Sequence, residues 1–297
     1  MDKKELEEYS KKGTGLIRDE RFENILLKIE KNLGNSNSEI REGSLDLLWE
    51  LIDSDIIPGK KLIEIGNRMI RNIEEKNDEA DSIFLRTFSS LIIALIISKD
   101  ELLYINNTET FLTYEEYISW YNVSIEYVKI ENDFRGYIEG KGWAHAISHS
   151  ADLLRDLAFH RYSTRNNQIE ILNLITSQFY KYDNLVFINN DDNRLARIIM
   201  IMMYREQLEL QDYKNWIANL TQGFKENHLA DFSENQKLST VWFNITTFLR
   251  AIYFTLKFGM KNIKNISEFK EKPKYNDELE DMILKKLKTM DNGLNYT

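Results

Sequence analysis

Three of the chain's four histidines fall in one stretch, "GKGWAHAISHSADLLRDLAFH", from Gly140 to His160. His145, His149 and Asp152 stand at i, i+4 and i+7. On a helix that spacing brings two imidazoles and a carboxylate toward one point, the ligand set of Zn, Mn, Fe or Ni. A divalent transition metal held there would leave a position for water and acidify it, which is the chemistry of metal-dependent hydrolysis. The zincin pattern needs a glutamate directly after the first histidine, and Ala146 stands in that place. Asp156, one turn further on, would orient a ligand from behind. Two other readings use the same residues. They form a buried hydrogen-bond network that fixes neighbouring helices, or they line a groove that holds a peptide or a small polar ligand. His160 sits at the helix end, where an imidazolium meets the dipole favourably. His228 falls in an expected loop and carries no role. A serine triad is not expected, because Ser148 and Ser150 flank His149 in sequence and adjacent helical residues diverge.

At about 100° per residue, His145, His149, Asp152, Asp156 and His160 share an arc of roughly 80°. Ala144, Ile147, Ala151, Leu154 and Ala158 make an apolar stripe elsewhere on the same helix. The preceding segment, "ENDFRGYIEGKGW", holds Gly136, Gly140 and Gly142 in a glycine-poor chain, which predicts a tight loop with backbone pressed against a neighbour. Asp133 and Arg135 would clamp that loop or reach the same site. The helix is expected from Gly142, with Trp143 as a core plug or as a stacking wall. Its first amides would suit an anion, although no Gly-Lys-Ser/Thr follows to make a phosphate-binding loop.

The elements that must position these residues are helices. The 297 residues include 42% hydrophobic side chains but only two prolines and twelve glycines, too few turn-formers for a sheet protein. Apolar residues recur at helical spacing from about Arg21, Ser38, Pro58, Asp81, Thr113, Gly142, Asn167, Asp192, Gln211, Ser233 and Tyr275. Pro58 suits a first turn and Ser38 a cap. The N-terminal segment is expected to pack loosely. No Gly/Ser/Pro linker divides residues 1–297, which read as a single helical-repeat domain with its central block at 133–160. The expected fold is all-α, antiparallel helix pairs stacked as a HEAT-like α-solenoid, with a closed α/α toroid as the alternative. Arg41, Arg86, Arg194, Arg197 and Arg250 each precede or open an apolar helix. Their charge opposes the dipole there, so carboxylates of neighbouring helices are the expected partners, or an anionic ligand in a concave groove.

The net charge of −9 argues against nucleic acid as a partner. Cysteine is absent, which removes disulfides and thiolate chemistry. The charged start "MDKKELEEYSKKG" has no apolar secretory core. The longest wholly apolar run, Leu91 to Ile97, falls short of the ~18 residues of a membrane span. A cytoplasmic protein, without membrane or nucleic-acid partners, is expected.

"DFRGYIEGKGWAHAISHSADLL", from Asp133 to Leu154, resembles the signature of the DUF2785 family of uncharacterised bacterial proteins. "FLRTFSSLIIALIISKD" from Phe84, "DDNRLARIIM" from Asp191 and "NITTFLRAIYFTL" from Asn244 resemble its flanking blocks, so the likeness covers about residues 40 to 257. Ser148 and Ser150 depart from the alanine and glycine of the family. The resemblance implies a helical bacterial protein and brings no activity. The function expected from the residues is therefore a binding or scaffold module. Its polar concave groove would be lined by Asp133, Arg135, Trp143, His145, His149, Asp152 and Arg194, and would take a peptide, a protein segment or a small polar ligand. The alternative is the metal-dependent hydrolase with His145, His149 and Asp152 as ligands.

Overall fold

A computed structural model describes residues 1–75, 79–224, 235–260 and 271–290. It is all-α, with twelve α-helices and one two-stranded hairpin among the described residues. The chain divides into two compact units, Met1–Tyr162 and Ser163–Thr297.

The first unit runs α1 (Lys3–Lys12), a 3-10 turn, α2 (Phe22–Asn32), α3 (Ser38–Asp53), α4 (Gly59–Glu74), α5 (Ser82–Ile105), α6 (Tyr114–Ile130), β1 (Tyr137–Ile138), β2 (Gly142–Trp143) and α7 (Ala146–Phe159). Helix α5 is its core. Every residue from Thr87 to Glu101 is buried, and α3, α4 and α7 pack around it. By length and composition α5 could cross a membrane, but 83% of its apolar window is buried inside the unit. Its polar end is also enclosed. Lys99 donates to the carbonyls of Asp53 and Ser54 at 3.0 and 3.1 Å, which satisfies the exit of α3. Helices α4 and α6 approach closely because Gly66 has no side chain. A Cβ there would stand 2.0 Å from Cη2 of Trp120, whose indole N–H donates to Asn67 at 2.9 Å.

The second unit holds α8 (Arg165–Lys181), α9 (Asp191–Arg205), α10 (Leu210–Leu220), α11 (Gln236–Phe258) and α12 (Asn276–Met290). Helix α11 packs on α8, α9 and α12. Phe179, Phe187, Trp216 and Phe248 pack tilted or edge-on against one another there, and Trp216 donates to Thr176 at 3.1 Å. Asn244 pins the segment before α9, accepting from the Phe187 amide at 2.9 Å and donating to the Leu185 carbonyl at 2.7 Å.

Helix starts differ from expectation in small ways with local causes. Asn37, rather than Ser38, caps α3, accepting from the Ile40 amide at 3.3 Å. Pro58 caps α4 in extended conformation, one residue before the helix. The N-terminal segment is not loose: α1 has a capping box of Asp2 and Glu5 and buries Leu6 and Tyr9. The largest departure is at Gly142, where a hairpin replaces the first turn of the expected helix.

Candidate functional site

The hairpin is built by its glycines. Gly140 adopts φ 72° in the turn, which the Lys141 amide closes on the Ile138 carbonyl at 3.0 Å. Gly142 adopts φ 82°, and a Cβ there would meet Ser38 at 2.9 Å and the Arg41 guanidinium at 3.3 Å. So the expected close approach is real, and the neighbour is the start of α3. Tyr137 pairs across the ladder with Trp143, and their rings meet edge to face at 5.1 Å. The Ala144 amide extends the pairing to the Gly136 carbonyl at 2.7 Å.

Arg41 braces this hairpin from below. It is 0% exposed. One nitrogen donates to the Asn35 carbonyl at 2.7 Å, the other to the carbonyls of Lys141 and Trp143 at 2.7 and 3.1 Å. Its guanidinium carbon lies 3.9 Å from the centre of the Phe84 ring, a cation–π contact. Burial pushes its pKa below the ordinary value. Arg41 therefore uses carbonyls where a carboxylate ladder was expected. Arg86 keeps to expectation, donating to Glu131 at 2.6 Å. Two further ion pairs flank the hairpin: Arg135 donates to Asp133 at 2.8 Å, and Lys141 to Asp81 at 2.6 Å.

His145 is the last residue before α7 and sits in the left-handed region at φ 53°. Its imidazole lies parallel to the Trp143 indole, with centroids 4.5 Å apart. His149 follows at 5.1 Å from His145. It is buried, with Nδ1 3.1 Å from the Thr87 carbonyl, and a carbonyl only accepts, so that nitrogen carries the proton. Phe88 meets His149 edge-on at 5.1 Å. Tyr137, Trp143, His145, His149 and Phe88 thus make a file of rings from the surface into the core. Trp143 is 38% and Tyr137 55% exposed. Trp143 is consequently no core plug.

Further along α7 the polar stripe is consumed inside the unit. Arg155 donates to Asp152 at 2.9 Å and to Asp156 at 2.7 Å. Burial opposes its charge, but the two carboxylates outweigh burial and hold its pKa above the ordinary value. His160 lies just past the helix. Its Nδ1 accepts from the Tyr162 amide at 3.3 Å, and its Nε2 faces Asp100 at 3.1 Å. Tyr117 stacks on it at 4.6 Å. Burial lowers its pKa against the pull of Asp100. A neutral imidazole replaces the expected imidazolium at the helix end. Asp100 also accepts from the amides of Phe111 and Leu112 at 2.6 and 2.9 Å and from Arg161 at 2.7 Å.

The proposed metal ligands do not assemble. Among the described residues no group of three or more His, Asp or Glu side chains is placed to hold an ion. Spacing of i, i+4 and i+7 converges only on a helix that includes His145; its left-handed backbone turns that ring onto Trp143, and Asp152 is taken by Arg155. The first amide of α7, Ala146, bonds the Arg135 carbonyl at 3.4 Å and is not open to an anion. Asp133, Arg135, Trp143 and His145 gather at the hairpin, His149 and Asp152 lie buried behind it, and Arg194 belongs to α9 of the second unit. His228 lies outside the described residues. Tyr137 and Glu139 were missed as site residues, and Arg41, expected to meet a carboxylate or an anionic ligand, braces the hairpin instead. The turn glycines flanked by Tyr137 and Trp143 were the available signal for the first two. The bracing role of Arg41 had no such signal, since its partners are backbone carbonyls.

A family model described as "Protein of unknown function (DUF2785)" matches residues 69–254, which include the hairpin and α7. No curated protein and no solved structure matches the chain.

Proposed function

The chain belongs to the DUF2785 family, and from the geometry of its first unit we propose that it is a binding module whose recognition element is the hairpin ahead of α7. The ligand is a protein segment, a peptide or a small polar molecule, held over Tyr137 and Trp143 with Asp133, Arg135 and His145 at the margin. One observation carries this reading: two large aromatic rings stay in solvent on a backbone braced by a fully buried arginine. Solvated aromatics on a rigid support cost little ordering entropy when a ligand arrives. The rest of α7 offers nothing comparable, since His149, Asp152 and Asp156 spend their polar atoms inside the unit. The hydrolase reading loses its support with its ligand set.

A peptide array and a panel of polar metabolites, probed in parallel with wild type and Trp143→Ala, test the proposal. Ligands retained by wild type and lost by the variant, at unchanged melting temperature, are the expected result. A set of ligands indifferent to Trp143 would remove it.

A further inference from the structure

We infer that the hairpin recognises an arginine-bearing segment of another protein chain; the inference rests on the binding reading above and names its ligand. The charge of the molecule is unevenly divided. The first unit has 31 Asp and Glu against 21 Lys and Arg, so the whole of the chain's negative excess lies there. Such a field speeds encounter with cations and turns anionic partners away.

At the hairpin itself the cations are already engaged. Arg41 is buried beneath the strands, Arg135 is paired with Asp133, Lys141 with Asp81 and Arg86 with Glu131. Two carboxylates are not matched in this way. Glu139, in the turn between β1 and β2, is exposed and has no ion-pair partner among the described residues. Glu42 has one oxygen buried without a hydrogen-bond donor. Its nearest cation is Arg41, at 3.7 Å, through the same nitrogen that donates to the Trp143 carbonyl. Burial raises the Glu42 carboxyl above its ordinary range despite Arg41.

The exposed rings complete the recognition surface. The faces of indole and phenol attract cations, and a guanidinium stacks flat on them while its edge donates to a carboxylate. Lysine can do only the first of these. Net charge selects the sign of the partner, and the aromatic pair beside Glu139 selects arginine within that sign.

Fluorescence anisotropy on the full chain, with dye-labelled Arg-Gly, Lys-Gly and Glu-Gly repeat peptides of equal length, tests the inference. The Arg-Gly peptide is expected to bind, the Lys-Gly peptide to bind more weakly, and the Glu-Gly peptide not at all. Trp143→Ala should weaken Arg-Gly binding by about tenfold. Glu139→Gln, in an exposed turn that tolerates the change, should weaken it by about two- to fivefold. Equal binding of the Arg-Gly and Glu-Gly peptides would overturn the inference. So would Arg-Gly binding that ignores both substitutions, which would be bulk charge alone. If the array yields neutral or acidic ligands that depend on Trp143, the arginine assignment falls and the binding reading stands. If all ligands ignore Trp143, the binding reading falls too.

Discussion

The indole of Trp143 and the imidazole of His145 lie parallel, 4.5 Å apart and within 1° of a common orientation, with one residue between them in sequence. The left-handed backbone of His145 makes this possible, by turning its ring back over the strand as α7 begins. A non-glycine residue in that region costs about 1–2 kcal/mol, so strain and stacking are coupled at one position. His145→Gly relieves the backbone and removes the ring; His145→Ala removes the ring and keeps the strain. The alanine variant is expected to be less stable than the glycine variant by about 1 kcal/mol, with equal loss of ligand binding in both. Urea unfolding beside peptide titration checks this, and binding that survives in either variant contradicts it.

Arg41 joins the α2–α3 connection to the hairpin through backbone carbonyls. Arg41→Met fills similar space without donors and takes the side-chain donor away from three half-buried carbonyls. A stability loss of about 2–4 kcal/mol is expected. Arg41→Lys keeps the charge but lacks the fork that reaches both sides, and should recover only part of it. Hydrogen exchange at the Ala144 amide, the end of the strand ladder, should quicken in both variants. An unchanged Ala144 rate would mean that Arg41 does not hold the hairpin.

His160 predicts a pH dependence of stability. Its Nδ1 accepts an amide proton, so a second ring proton would have no place to go without breaking that bond. The folded pKa lies below the ordinary 6.5 because of burial. The unfolded chain then takes up the proton first as pH falls. The contribution is fully present above about pH 6.5 and is lost progressively below it, down through the depressed folded value. Asp100, also lowered, since its hydrogen bonds outweigh burial, adds a separate loss below its ordinary 3.8. Denaturation at several pH values should show a downward step just below 6.5 that His160→Gln flattens. The same step in His160→Gln would assign it elsewhere.

Gly66 costs its helix about 1 kcal/mol relative to alanine, and the structure returns this through Trp120. Gly66→Ala should be destabilising by about 1–3 kcal/mol from overpacking, despite the better helix former. Trp120→Phe in the same chain makes room, and the pair should be less damaging than the sum of the two single changes. Additive losses from unfolding curves would show that the indole can move aside freely.

The helices were legible because burial needs one apolar face at helical period, and that period survives in the sequence. Thr113 and Pro58 mark their helices to within a residue. The hairpin was not legible, since strands of two residues are too short to alternate. The metal hypothesis failed for a related reason. Spacing converts to geometry only inside a continuous helix, and His145 lies one residue outside it. The polar stripe on α7 was legible as a stripe, but the identity of its partners was not. Thr87 and Phe88 on α5 lie some sixty residues away, and a carbonyl acceptor leaves no mark in the side-chain code. The α1 helix was missed because only Leu6 and Tyr9 are buried along it.

Helix α5 has an implication for synthesis. It leaves the ribosome before α7, the helix that covers its remaining side, is free to pack on it. In that interval a long greasy rod of membrane-like composition is half wrapped by α3 and α4 alone. Nascent chains long enough to expose α5 but too short to release α7 should be the ones that chaperones capture or that clump, whereas chains that have released α7 can bury the rod and escape.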